Sequence, residues 1–247
     1  MKASARWMDQ ALLLLAALAI WQGLHAYAGD IAITAPWPTV QYVGTLFGQP
    51  GFWNHAWGTA IAFGWALAIS AVAGVALGVL LGMRRFAGDV AEPIIASLYT
   101  IPKVTLYPVM LLIFGLGISA KVAFGVIHGL IPVVLFTLAA VKNLSPVLLR
   151  TARVMRLSGW QTARTVLAPA VIPEIASGLR IGFSLTFLGV LIGEMFASQR
   201  GLGFLIINGI NAHNVRMTTA VTLIVVIFAL ASNSALLAAD RRLHHRG

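Results

Sequence analysis

The sequence predicts an all-α polytopic membrane protein with about six transmembrane helices. Three observations lead there. Of 247 residues, 59% are hydrophobic and 10% charged, and the mean hydropathy is +0.89. A soluble domain carries roughly a quarter charged residues, so these charges are too few to cover a water-facing surface. The apolar residues also fall in runs near the roughly 20 residues that cross a bilayer as helix. Helices are the open-chain solution because lipid cannot hydrogen bond the backbone. A soluble enzyme, a disordered chain and an ordinary secreted domain are excluded.

Lys2 and Arg6 precede the first run, Ala11 to Ile20, which continues weakly to Ala28. Its basic start, short apolar core and Ala26-Tyr27-Ala28 also fit a cleavable signal peptide. Gly29 to Asn54 reads as a loop with Pro36, Pro38 and Pro50. Its Trp37, Tyr42, Phe47, Phe52 and Trp53 suit a membrane interface. Trp57 to Leu81 is the second span, where Gly74, Gly78 and Gly82 form two small-xxx-small steps for close helix packing. Ile94 to Leu116 is the third, interrupted by Pro102 and Pro108. Val122 to Val141, Ala176 to Ala197 and Met217 to Ala239 complete the set. The expected division is an N-terminal transmembrane helix at 1–30, a periplasmic loop at 31–56, a core at 57–240 and a cytoplasmic tail at 241–247.

The formal net charge is +10. In a membrane chain the positive-inside rule accounts for it, with lipid and not nucleic acid as the partner. Six crossings with the N-terminus inside place Lys2, Arg6, Arg84, Arg85, Lys142, Arg150, Arg153, Arg156, Arg164, Arg241, Arg242 and Arg246 in the cytoplasm. Only Lys121, Arg200 and Arg216 fall outside, while Lys103 and Arg180 sit near span ends. Both termini are therefore expected in the cytoplasm.

Lys142 to Glu174 is the longest polar stretch between spans. It reads as two short helices. Pro146 opens the first, Ser158-Gly159 marks a turn and an N-cap for the second, and Pro169 and Pro173 close it. Val154, Met155, Leu157, Trp160 and Val166 interrupt its basic character. A basic loop that shows apolar side chains to water has a protein partner.

Several chemistries are missing. There is no Walker A sequence to cradle nucleotide phosphates, no His-Glu-x-x-His helix and no cysteine. His128 lies in the fourth span and Ser158 in the loop, so they do not form an intramembrane protease dyad. No catalytic residue, metal site or bound cofactor is expected. Within the fifth span Ser177, Arg180, Ser184 and Glu194 fall near one helical face at roughly 100° per residue. Arg180 reads as a snorkelling anchor at the span edge. An acid in a span is costly unless it meets water or a partner. Glu194, Ser184 and the Gly201-Leu-Gly203 turn are thus candidates for a translocation path.

The residues from Ala152-Arg-Val-Met-Arg-Leu-Ser-Gly-Trp-Gln-Thr-Ala-Arg-Thr-Val-Leu-Ala-Pro169 resemble the EAA loop of ABC importer permeases. So does Pro173-Glu-Ile-Ala-Ser-Gly-Leu-Arg180. Ile101-Pro-Lys-Val-Thr-Leu-Tyr-Pro108, Phe114-Gly-Leu-Gly117 and Ala35-Pro-Trp-Pro38 are similar to the nitrate/sulfonate/taurine group. Glu194-Met-Phe-Ala197 and Gly201-Leu-Gly-Phe-Leu-Ile206 resemble the end of its fifth span. The resemblance implies a type I ABC importer permease fold. It also implies two permease subunits, here a homodimer, two ATPase subunits that use ATP, and a periplasmic or lipid-anchored solute-binding protein. The loop becomes a coupling helix, with Ala152, Arg153, Arg156, Leu157, Ser158, Gly159, Trp160, Arg164 and Pro169 as coupling residues. The implied cargo is a small anion such as a sulfonate or nitrate, or a vitamin precursor. The alternative class is a channel or secondary transporter without ATP, which predicts internal repeats.

Departures from the loop pattern carry expectations of their own. Arg150 replaces the usual Glu, Thr151 the first alanine, Arg156 the glycine and Ala168 a leucine, while Asn233 stands where Asp is common. An arginine at the glycine position is expected not to turn sharply. It is expected to share a helical face with Arg153 and to reach an acid on the ATPase.

Overall fold

The structure is a computed structural model. It describes residues 2–196 and 198–244, with side chains from 8 to 238 except 197, and at 240. Ala197 and residues 245–247 of the expected tail lie outside the described residues, as do the side chains of Lys2, Arg6, Arg241 and Arg242. All regular elements among the described residues are helical.

Helix α1, Lys2–Ala28, carries an apolar window from Met8 that is unburied by the rest of the chain. Leu12, Leu13, Leu14 and Leu15 all point outward, an arrangement that only lipid or another chain can cover. Its end is tied down by Trp21, whose indole N–H donates to the Thr34 carbonyl at 2.9 Å. His25 Nδ1 meets the Ile33 carbonyl at 2.8 Å.

The stretch read as a loop between Gly29 and Asn54 is largely helical. Helix α2 spans Pro36–Phe47, and α3 begins at Pro50 and runs to Gly82. Both prolines open a helix instead of breaking one. A proline in the first turn has no intrahelical N–H to lose, and its fixed φ already suits the helix.

The expected third span is broken. Helix α4, Arg85–Thr100, is followed by a 3₁₀ turn at Lys103–Leu106 and by α5, Tyr107–Phe114, and the two parts meet at 87°. Ile101 before Pro102 is extended, with φ −65° and ψ 131°, because the proline ring excludes the helical conformation there. Asp89 and Glu92 of α4 both grip Lys142, at 2.6 and 2.8 Å.

Helix α6, Ile118–Lys142, is the central post, packed between α3 and α9, Ala168–Phe196. The glycine stripe of α3 faces it, as the small-residue spacing predicts. A Cβ on Gly74 would lie 2.6 Å from Val133, and one on Gly82 2.8 Å from Val141. Close backbone approach, not Gly flexibility, is what this stripe supplies. Phe63 meets Phe183 and Phe187 edge-on, with centroids 4.8 and 5.3 Å apart, sealing α3 to α9. Helix α10, Leu202–Asn211, and helix α11, Val215–His244, close the other side. Arg180, read as a snorkelling anchor, instead lies 3.6 Å from buried Asp240 of α11.

Candidate functional site

The coupling segment is built from local signals. Helix α7, Pro146–Val154, starts at Ser145, whose hydroxyl accepts the Val147 N–H at 3.3 Å. Ala152 is buried on its inner face. The helix ends in a Schellman turn. The Arg156 N–H donates to Arg153 O at 3.0 Å, and the Leu157 N–H to Ala152 O at 3.1 Å. This closure needs a left-handed residue, and Arg156 supplies it at φ 52°.

Two expectations are thereby corrected. Arginine does make the sharp turn, because the paired carbonyl closures and the half-buried Leu157 hold it there. Arg153 and Arg156 do not share a helical face, since the helix stops at Val154 between them. Arg153 turns back on its own helix, its Nε 3.4 Å from Leu149 O, whereas Arg156 is exposed.

Ser158 then caps a second helix, α8, Gly159–Thr162, with a full capping box. Its hydroxyl accepts the Gln161 N–H at 3.3 Å, and Gln161 Oε1 accepts the Ser158 N–H at 2.8 Å. The expected stop at Pro169 and Pro173 does not occur. A wide π turn at Ala163–Leu167 carries α8 directly into α9, with both prolines inside its first two turns. The wider turn makes room for the Pro169 ring, and the Ala168 N–H reaches back to Ala163 O. Along this surface Trp160 is 74% and Val154 83% exposed. Arg164 and Pro169 are exposed beside them. Of the proposed apolar pair, Trp160 is open and Leu157 half-buried.

A second constellation lies at the opposite end of the bundle. Glu194, near the end of α9, is 0% exposed. Thr59 Oγ1 sits 2.8 and 3.0 Å from its two oxygens, and the Gly203 N–H donates at 3.0 Å. Thr59 Oγ1 also accepts the Leu202 N–H at 2.8 Å. Between them these groups satisfy two orphan donors at the start of α10, as a side-chain cap would. Lys121 lies 3.7 Å from Glu194 and donates to Arg200 O at 2.6 Å. His55 Nδ1 accepts the Gly201 N–H at 3.1 Å, and Tyr107 donates its hydroxyl to Gly193 O at 2.6 Å. Gly201 sits at φ 132°, and a Cβ there would overlap the Glu194 carboxylate. A Cβ on Gly203 would overlap the Leu191 carbonyl.

Thus Glu194, Gly201 and Gly203 come together. Ser184 does not join them. It is exposed, its hydroxyl 3.5 Å from Arg180 O. It lies ten residues from Glu194, about 15 Å along the helix. Thr59, His55, Lys121 and Tyr107 were missed. Their signal was polarity inside apolar runs, with His55 and Thr59 one turn apart.

Residues 74–246 match the model of the binding-protein-dependent transport system inner membrane component family. The chain belongs to that family. It is a multi-pass transport component of an inner membrane, and partners of the ATPase and binding-protein kind go with the family. Against the taurine transport system permease protein TauC of Escherichia coli it is 29% identical over 167 residues, 66% of this chain and 61% of that one. Against the nitrate import permease protein NrtB of Leptolyngbya laminosa it is 30% identical over 222 residues, 85% of this chain and 78% of that one. Against the osmoprotectant import permease protein OsmW of Salmonella typhimurium it is 31% identical over 185 residues, 72% and 82% of the two chains. The permease's coupling segment falls inside the family match, as do Glu194, Lys121, Gly201 and Gly203 of the second constellation, whereas His55 and Thr59 precede it.

Proposed function

We propose that this permease lines the solute path of an ATP-driven importer and passes mechanical work between separate ATPase subunits and that path. The observation that carries the reading is the coupling segment. It is capped at each turn, shows Trp160 and Val154 to solvent, and runs unbroken into α9. Gly159 to Phe196 is 38 residues, a rod of about 57 Å. One end meets the partner, and the other holds Glu194. Closure of the ATPases displaces the coupling end, and the same rod loads the Glu194 contacts with Thr59 and Gly203. The coupling segment and both termini face the cytoplasm, as the charge bias favours. ATP binds to the partner and not to this chain, which lacks a phosphate-cradling loop. A second copy completes the path, and a binding protein delivers the solute to the far end. Relatives named for taurine and nitrate support a small oxyanion as cargo, and one named for osmoprotectants keeps a wider class in view.

The test is co-purification with the ATPase and binding protein, followed by uptake into proteoliposomes. Uptake should require ATP and all partners. Robust ATP hydrolysis by the isolated, contaminant-free chain would refute the assignment, as would labelling of a cysteine at position 160 from the periplasm.

A further inference from the structure

At the end of the bundle opposite the coupling segment lies a cavity of ≈ 620 Å³. That size falls within the range of small-ligand sites. Its place in the fold follows from α6, since Lys121 lines it and Lys142, at the coupling end, is about 30 Å further along the helix. The ionic residues of the lining are both basic, Lys121 and Arg200, with Gln199 beside them. Among the described residues no acidic side chain lines it. Glu194 stands behind Lys121 at 3.7 Å, its carboxylate already held by Thr59 and Gly203. It offsets Lys121 and leaves Arg200 as the uncompensated charge.

A further positive contribution comes from the backbone. Gly117, at φ 143°, is the N-cap of α6 and has no side chain to engage the first N–H groups of this 25-residue helix. Such an end carries about half a positive charge and unpaired donors. Ile61, Leu116 and Ile118 form the apolar wall. Charged donors at one side and an apolar wall at the other match a small amphiphilic anion.

We propose that this cavity binds the oxyanion head of a small solute with an apolar part, a sulfonate-like group. Arg200 is the principal contact, Lys121 holds the Arg200 backbone through its carbonyl, and the α6 end contributes backbone donors. Binding stands independently of the import reading. Only the statement that the bound anion is cargo rests on it.

The full chain in phosphatidylcholine nanodiscs is titrated calorimetrically with methanesulfonate, and with dimethyl sulfone as a neutral match in shape. Methanesulfonate should bind saturably and dimethyl sulfone should not. Arg200→Gln should weaken binding at least about tenfold. Arg200→Lys should retain part of it, and Arg216→Gln, outside the cavity, all of it. Wild-type affinity in Arg200→Gln, or equal binding of the sulfone, overturns the proposal. A phosphate headgroup offers the same chemistry, so the titration is repeated with phosphatidylglycerol in the disc. Unchanged affinity supports the solute, and a loss of about tenfold assigns the cavity to lipid and overturns it. Uptake by the assembled importer separates the two readings. Lost binding with an unchanged KM for uptake in Arg200→Gln defeats the cargo role and leaves import standing. Anion binding without any ATP-dependent uptake defeats import and leaves the site standing.

Discussion

Arg156 offers a way to separate a backbone demand from a side-chain contact. Its φ of 52° closes the Schellman turn after α7. A left-handed conformation costs an ordinary L-residue about 1–2 kcal/mol. Arg156→Gly removes that strain while keeping the turn, and also deletes the guanidinium. A charge-assisted bond to a partner acid contributes about 1.5–3 kcal/mol, or roughly 10- to 150-fold in affinity. Because Arg156 is exposed, the whole of that loss should appear in partner binding. The assay is the affinity of the ATPase for the purified permease, with wild type, Arg156→Gly, Arg156→Asn and Arg156→Val in parallel. Gly and Asn both tolerate the left-handed region and should lose affinity equally. Val should lose more, because β-branching resists positive φ and the path into Ser158 shifts. If Arg156→Gly binds as well as wild type, the guanidinium is solvated and the position serves the backbone alone.

Three further outcomes follow from the packing. Thr59→Val strips Glu194 of its hydroxyl donor and leaves the Leu202 N–H without its acceptor, which should cost about 1–3 kcal/mol; thermal unfolding in detergent should show it, with Thr59→Ser near wild type. Gly78→Ile drives a branched side chain into Thr137, where a bare Cβ already falls at 2.5 Å, so α3 must separate from α6 and folded yield in the membrane should collapse, whereas Thr137→Ser should not affect it. Trp160→Ala should weaken ATPase association by up to about 3 kcal/mol, the worth of burying a large apolar side chain, and leave insertion and thermal stability unchanged. A fall in stability instead would place Trp160 inside the permease's own core.

Composition settled the solvent. With 10% charged residues the chain has to be covered by lipid, and hydrogen-bond satisfaction in lipid makes it helical. Local spacing settled the α3 glycine stripe and the Ser158 N-cap, because their partners lie on one short stretch or one helical face. Proline was read less well. It fixes its own φ and lacks an N–H, but whether a helix ends there depends on the turn before it. Pro36 and Pro50 sit at helix starts, Pro169 follows a π turn, and Pro102 alone coincides with a break. The Glu194 cluster was out of reach for another reason. Glu194 and Thr59 are 135 residues apart in sequence, and their contact is set by the register of α3 against α6 and α9. Hydrophobic periodicity says which face of each helix is buried, but not which turn of one helix stands level with which turn of another. That height is fixed only when the small residues of all three helices interlock, so it is a property of the packed bundle and not of any single span.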